Sequence, residues 1–265
     1  DGHMAIPLQN ANLPQPHPVG DNLFVVGKQD ENSDHVRFSL IADGGKLVTK
    51  LPANLRADTS FFSSGRLLAY DWKSDRHVFI DHRGKVVIDS RNILSADNFY
   101  EGFSAVTLTE NGGKSGAYID PSGRVVLGPY PGFSTLSFVN GCAKIVGNTG
   151  KNQGLYGVVN RKGKIILPAK YPFIQQYDGY LIVNDGSRIS VFSNDGKELF
   201  KMPESVNFAG AQGDNGLFPV WAGGEKQENH HAGTPYLNAR VGYVNDKGKF
   251  VIQPKFAQAQ GFHEG

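Results

Sequence analysis

One short turn recurs six times along this 265-residue chain, and its spacing constrains the fold more than any other feature. Its clearest copies read Phe79-Ile80-Asp81-His82-Arg83-Gly84-Lys85-Val86-Val87 and Tyr118-Ile119-Asp120-Pro121-Ser122-Gly123-Arg124-Val125-Val126. It returns as Val158-Val159-Asn160-Arg161-Lys162-Gly163-Lys164-Ile165-Ile166 and as Tyr243-Val244-Asn245-Asp246-Lys247-Gly248-Lys249-Phe250-Val251, with weaker copies at Gly45 and Gly196. An Asp or Asn opens such a turn through its side chain, two polar residues follow, and Gly takes the left-handed position that a three-residue hairpin loop needs. Each copy therefore predicts a β-hairpin. The copies are spaced by roughly 40 residues, which is the signature of a repeat architecture.

A second marker, an aromatic-x-x-Gly, ends each unit: Phe62 to Gly65, Phe99 to Gly102, Phe138 to Gly141 and Phe262 to Gly265, with worn copies at Gln176 to Gly179 and Gly213 to Gly216. A short alternating strand follows all but the last. Cutting at this marker gives six units, 20–65, 66–102, 103–141, 142–179, 180–216 and 217–265, read as one domain. Each unit reads as a strand, a connection, the hairpin and a fourth apolar stretch such as Phe173-Ile174, the size of a propeller blade.

The pattern glycine-aromatic-Ile/Val-Asp/Asn-x-x-Gly-Lys-x-Val-Ile-x-Pro, then an aromatic and Glu-Gly, resembles the bacterial WG-repeat family. The last unit carries it best, from Val241-Gly242-Tyr243 to Pro254-Lys255-Phe256, and Tyr156-Gly157 to Pro168 is nearly as good. Val241, Tyr156 and Ser115 stand where that family has Trp. The resemblance implies a bacterial β-repeat protein, often of the cell envelope or a secreted system, and supplies no catalytic residues.

The expected fold is all-β: a six-bladed β-propeller, with an open β-solenoid as the alternative. Residues 22–26 are expected to complete the last blade and close the ring. Gly2-His3-Met4 resembles an expression scar, and Ala5 to Val19, rich in Pro, Asn and Gln, reads as a linker outside the fold. Such a start is compatible with a removed signal peptide or anchor.

The 33 glycines favour many short strands joined by turns. A formal charge of +2 with interspersed signs gives no electrostatic footprint for nucleic acid. No apolar run approaches the ~20 residues of a spanning helix. The single cysteine, Cys142, excludes an intramolecular disulfide and reads as a buried thiol.

Candidate chemistry is sparse. His230-His231, with Glu228 or His35 as a third ligand, suggests a metal site, but adjacent histidines in extended chain point to opposite sides, so a solvated loop is the reading. Asp81, Asp120, Asn160 and Asn245 are read as turn openers rather than acid–base pairs or calcium ligands. Asn111-Gly112-Gly113-Lys114-Ser115 lacks P-loop spacing, and no Gly-x-Ser-x-Gly elbow occurs. No enzyme activity, cofactor or metal is expected. Trp72, Tyr130, Tyr156 and Trp221 are read as core between units ahead of a stacking platform.

Loop length remains. The connection after the first strand stretches over Gly27 to Arg37 in unit one and Ala222 to Arg240 in unit six, which a closed ring would make neighbours on one face. Long loops on a rigid scaffold carry contacts. The expected function is a non-catalytic scaffold binding a protein partner through Gln29, Asp30, Glu31, His35, Trp221, Glu225, Lys226, His230, His231 and Tyr236. The rivals are a carbohydrate or peptidoglycan binder and a hydrolase with its site in a propeller channel.

Overall fold

A computed structural model describes residues 17–29, 36–57, 61–110, 112–204, 206–209, 216–226 and 236–258. They form six four-stranded antiparallel sheets, each of strands consecutive in sequence apart from a small insertion in the last, and no α-helix occurs among them. The first sheet holds β1 (His17–Gly20), β2 (Leu23–Gln29), β3 (Val36–Ala42) and β4 (Leu47–Lys50). The second holds β5 (Leu55–Arg56), β6 (Leu67–Asp71), β7 (Arg76–Ile80) and β8 (Val86–Ile88). The third holds β9 (Ile93–Tyr100), β10 (Phe103–Glu110), β11 (Gly113–Ile119) and β12 (Val125–Pro131). The fourth holds β13 (Phe133–Thr135), β14 (Cys142–Gly147), β15 (Tyr156–Asn160) and β16 (Ile165–Tyr171). The fifth holds β17 (Phe173–Gln176), β18 (Tyr180–Asn184), β19 (Ile189–Ser193) and β20 (Glu198–Lys201). The sixth holds β21 (Val206–Phe208), β22 (Phe218–Ala222), β25 (Arg240–Val244) and β26 (Phe250–Phe256), with a separate ribbon of β23 (Glu225–Lys226) and β24 (Tyr236–Leu237) between its second and third strands. By contact the chain divides into two compact units, residues 1–139 with 143–153, and residues 140–142 with 154–265.

The six four-stranded repeats expected from the sequence are present, but their phase is shifted by one strand. Each sheet after the first takes its first strand from the end of one repeat and its other three from the next, and the first sheet takes β1 from the segment before the first repeat. The reason lies in the aromatic-x-x-Gly marker. Ser64-Gly65, Glu101-Gly102 and Asn140-Gly141 each have two successive positive φ values, as do Asp21 and Asn22. Two such residues make the tight hairpin turn whose twist matches the flanking strands. The marker therefore joins two paired strands instead of separating two units.

Two expectations are corrected by this pairing. Residues 22–26 do not complete the last sheet: Asn22 ends the β1–β2 turn and 23–26 lie in β2, paired with β1 on one side and β3 on the other. The segment read as linker, 5–19, overlaps β1, which begins at His17, and Val19 in it is fully buried within a core shared by the first two sheets, together with Val25, Leu40, Leu67 and Ile80. Each such aliphatic side chain contributes about 1.5–3 kcal/mol relative to exposure. The marker aromatics Phe62, Phe99 and Phe138 are likewise buried, with Phe99 against Phe79 at 5.0 Å and Phe138 against Tyr118 at 4.8 Å between ring centres. Cys142 is buried as expected.

The recurring turn is built as predicted. Asp81 Oδ1 accepts from the backbone N–H of Arg83 and Lys85, each at 2.9 Å, and Asn160 and Asn245 repeat both bonds. At the weak copy near Gly196 the side chain of Ser193 takes that place, accepting from Lys197 N–H at 3.2 Å. In all six sheets the ladder of third and fourth strands shifts register beside the turn. That shift is the bulge that follows when the glycine sits in the left-handed region.

Candidate functional site

The two ends of each sheet differ in construction. At one end lie the turns between first and second strands and between third and fourth strands, and these interlock with neighbouring sheets. The β1–β2 turn meets the β7–β8 turn through Asp21 Oδ2 and His82 Nε2 at 2.7 Å, with the His82 ring stacked on Phe62 at 4.2 Å. Arg66 Nε, before β6, donates to Pro121 O in the β11–β12 turn at 2.9 Å. In the second unit, Asn194 Nδ2 in the β19–β20 turn donates to Asn140 O in the turn before β14 at 2.9 Å.

Glycines of the third-to-fourth-strand turns, Gly84, Gly123, Gly196 and Gly248, press into the same seams, whereas a Cβ on Gly102, Gly141 or Gly179 of the first-to-second-strand turns would meet nothing within 4 Å. A Cβ on Gly196 would stand 2.8 Å from Ile166 O of β16, and one on Gly84 would stand 2.6 Å from Thr49 Cγ2 of β4. Both positions also have positive φ. Any side chain there meets backbone strain and a collision together. At these turns the end is closed by packing.

The opposite end carries the connections between second and third strands, and no two are alike. In the first sheet the β2–β3 ladder runs out to Gln29 paired with Val36. In the sixth, the ribbon pairs Glu225 with Leu237 and Lys226 with Tyr236, beyond the main sheet. Of the residues expected to bind a partner, Gln29 therefore ends β2, and Glu225, Lys226 and Tyr236 meet in one ribbon. Trp221 sits in β22, half-buried and paired with Val241. Asp30, Glu31, His35, His230 and His231, with Glu228, lie outside the described residues.

A feature the loop-length reasoning passed over stands on the same end of the second sheet. The β6–β7 turn, 71–76, is held by Asp71, whose carboxylate accepts from Asn54 Nδ2 at 2.7 Å, Ser74 Oγ at 2.7 Å and the backbone N–H of Lys73 at 3.0 Å. Those bonds outweigh partial burial and hold its pKa below the usual carboxylate range. The turn displays Trp72, 52 % exposed, whose Nε1–H donates to Ala53 O at 3.2 Å. Tyr130 is buried and meets Tyr118 edge-on at 6.5 Å, while Tyr156 packs partly buried against the core of Val158 and Leu167. Of the four aromatics considered, three are core or half-buried and only Trp72 is displayed.

Among the described residues, His77, Asp97 and Ser137 are the titratable and hydroxyl groups that meet near this turn. His77 of β7 accepts from Ala96 N–H through Nδ1 at 3.1 Å. Burial pushes its pKa down, opposed by the charge of Asp97. Ser137 Oγ donates to Asp97 at 3.3 Å. The hydroxyl thus meets the carboxylate, not the imidazole that a nucleophile needs as base. Among the described residues no group of three His, Cys, Asp or Glu side chains is placed to hold a metal ion. No helix among them is long and apolar enough to cross a membrane.

Gly157 and Gly242 open their third strands where the fourth strand folds closely across. A Cβ on Gly157 would lie 2.7 Å from Leu167 O and 2.8 Å from Ala169 N, and one on Gly242 would lie 2.7 Å from Ile252 O and 2.8 Å from Pro254 N. The family model described as WG containing repeat matches residues 156–187 and 242–265, the segments these glycines begin. Two stretches of the chain are thus similar to the WG repeat. The glycine of the WG pair is thus explained here by backbone proximity, and the preceding position, Tyr156 or Val241, by partial or full burial.

The chain is also similar to solved structures. The β-propeller domain of the Trilobed protease from Pyrococcus furiosus, described as having an open velcro topology, is 12 % identical over 94 % of this chain and 86 % of its own, with a TM-score of 0.41. An uncharacterized protein from Listeria monocytogenes EGD-e is 8 % identical over 97 % of this chain and 87 % of its own, with a TM-score of 0.41. A prolyl endopeptidase is 9 % identical over 94 % of this chain, with a TM-score of 0.40, and the chain spans only 43 % of that enzyme. No curated protein matches. Likeness at this level says nothing about activity.

Proposed function

We propose that this protein is a non-catalytic interaction scaffold that binds a protein partner at the second-to-third-strand end of its sheets, above all through the ribbon β23–β24. The observation that carries the reading is the asymmetry of construction. Every sheet repeats its first-to-second and third-to-fourth strand turns at the closed end, while the other end carries connections of differing length, among them the ribbon pairing Glu225 with Leu237, whose strands are nine residues apart in sequence. Variable loops on a rigid β-scaffold are where binding contacts concentrate. The recurring carboxylates and amides support a non-catalytic role, because Asp81, Asp120, Asn160 and Asn245 are engaged in capping their own turns.

The test replaces residues 227–235 by a short glycine linker and compares the two proteins in cross-linking capture from host extract. The denaturation midpoint is expected to stay unchanged while the cross-linked partner disappears. Equal capture by both proteins overturns the assignment to the ribbon.

A further inference from the structure

We infer that β4, an edge strand of the first sheet, is a strand-addition site for an extended peptide whose acidic residues flank an apolar centre. The proposal concerns a different element from the ribbon β23–β24 and does not depend on it. Three observations set the chemistry of the incoming strand.

The first is an open ladder. β4 ends the sheet order β1-β2-β3-β4, and among the described residues no strand pairs with its other side. Leu51 N–H donates to Phe38 O at 2.9 Å, and Lys50 stands opposite Ser39. Opposed residues of an antiparallel ladder alternate between bonded and non-bonded pairs, so the Lys50 N–H points away from β3. Its carbonyl, which takes the Thr49 hydroxyl at 3.3 Å, keeps a second lone pair.

The second is what the edge displays. Leu47 and Val48 are 51 % and 42 % exposed, and the exposed Lys46 and Lys50 bracket them. Other fourth strands are blunted. Three contain proline, at Pro129, Pro168 and Pro254, which cannot donate to a ladder. β8 is only three residues long, and in β20 Leu199 lies between Glu198 and Lys201, which pair with each other at 3.8 Å.

The third is charge. Residues 44–57 include Lys46, Lys50 and Arg56 and no Asp or Glu. The β7–β8 turn, where a Cβ on Gly84 would stand 2.6 Å from Thr49 Cγ2, adds the exposed Arg83 and Lys85. The carboxylates of Asp43 and Asp81 accept from backbone N–H groups of their own turns. Two β4 strands laid antiparallel would set Lys46 of one copy opposite Lys50 of the other, and directly opposed like charges destabilise a pair. The same lysines favour a carboxylate at each end of an incoming strand, while Leu47 and Val48 meet its apolar centre.

The test uses 15N-labelled protein and two blocked pentapeptides, Glu-Val-Thr-Val-Glu and Lys-Val-Thr-Val-Lys. Titration with the acidic peptide to about 10 mM is expected to shift the amides of 46–50 saturably, at a Kd on the order of 1 mM. The basic peptide is expected to leave them in place. Lys46→Glu combined with Lys50→Glu is expected to reverse the preference, each affinity changing at least ~10-fold. Lys50→Pro, which removes the outward N–H, is expected to bind the acidic peptide more weakly than Lys50→Ala, which removes only the charge. Denaturation midpoints of these variants are expected to stay close to that of the parent protein. No shift of 46–50 with the acidic peptide, the same shift with both peptides, or equal binding by Lys50→Pro and Lys50→Ala overturns the proposal. Loss of the response when 227–235 is replaced overturns it too, and assigns the peptide to the ribbon. Concentration-dependent self-association through β4 in place of peptide binding likewise overturns it, and makes the edge a contact between copies.

Discussion

The closed and open ends of the sheets use the same residue types under opposite constraints, and the fifth sheet shows this within a few residues. Gly196 in its β19–β20 turn and Gly186 in its β18–β19 connection both have positive φ. A Cβ on Gly196 would collide with Ile166 O at 2.8 Å, whereas one on Gly186 finds nothing nearer than Pro172 Cγ at 4.0 Å. At Gly196 the closed end is therefore fixed twice, by local backbone and by the neighbouring sheet. At Gly186 the open end has no such neighbour pressed against it, which leaves this connection able to vary. A scaffold that repeats one end and diversifies the other can carry different contacts on one frame.

The sharpest way to break this comparison is a pair of alanine substitutions measured by chemical denaturation. Gly196→Ala is expected to cost about 3 kcal/mol, combining strain with a backbone collision, and Gly186→Ala about 1 kcal/mol from strain alone. Equal losses would remove the distinction between the ends. A smaller effect tests the turn opener: Asn160→Ala removes two side-chain bonds to backbone N–H and is expected to lower stability by about 1 kcal/mol.

The smallest effect concerns His77, near the open end of the second sheet. Burial lowers its pKa, so on acidification the unfolded chain takes up a proton before the folded one does. Stability contributed by neutral His77 is therefore present above the ordinary value of about 6.5 and is lost as pH falls through it, until the folded imidazole also protonates. Denaturation midpoints at about pH 7.5 and about pH 5.5 should differ less in His77→Gln than in the parent protein. An unchanged difference would show that other groups carry the pH response.

Much of the fold was legible in local chemistry. The turn at Asp81 to Lys85 was readable because an Asx side chain and a left-handed glycine act within five residues, and the structure repeats their bonds at Asn160 and Asn245. The phase of the sheets was open to the same kind of reading and was missed. Asn140-Gly141 is a strong two-residue hairpin signal, and taking it as a unit boundary placed residues 22–26 in the wrong sheet. The candidate site was less legible. Loop length pointed to Glu225, Lys226 and Tyr236, but the exposure of Trp72 follows from Asp71 fixing a turn against Asn54, seventeen residues earlier, which no local pattern announces.

By itself the sequence determined the repeat, the hairpin turns and the all-β class, because those follow from side chains and glycines acting on their own backbone. Only the tertiary structure decided which aromatic is displayed, which glycine is pressed against a neighbouring sheet, and where each sheet begins. These depend on groups distant in the chain, and the distance from Gly196 to Ile166 or from Trp72 to Ala53 is set by packing between strands, not by any spacing along the sequence.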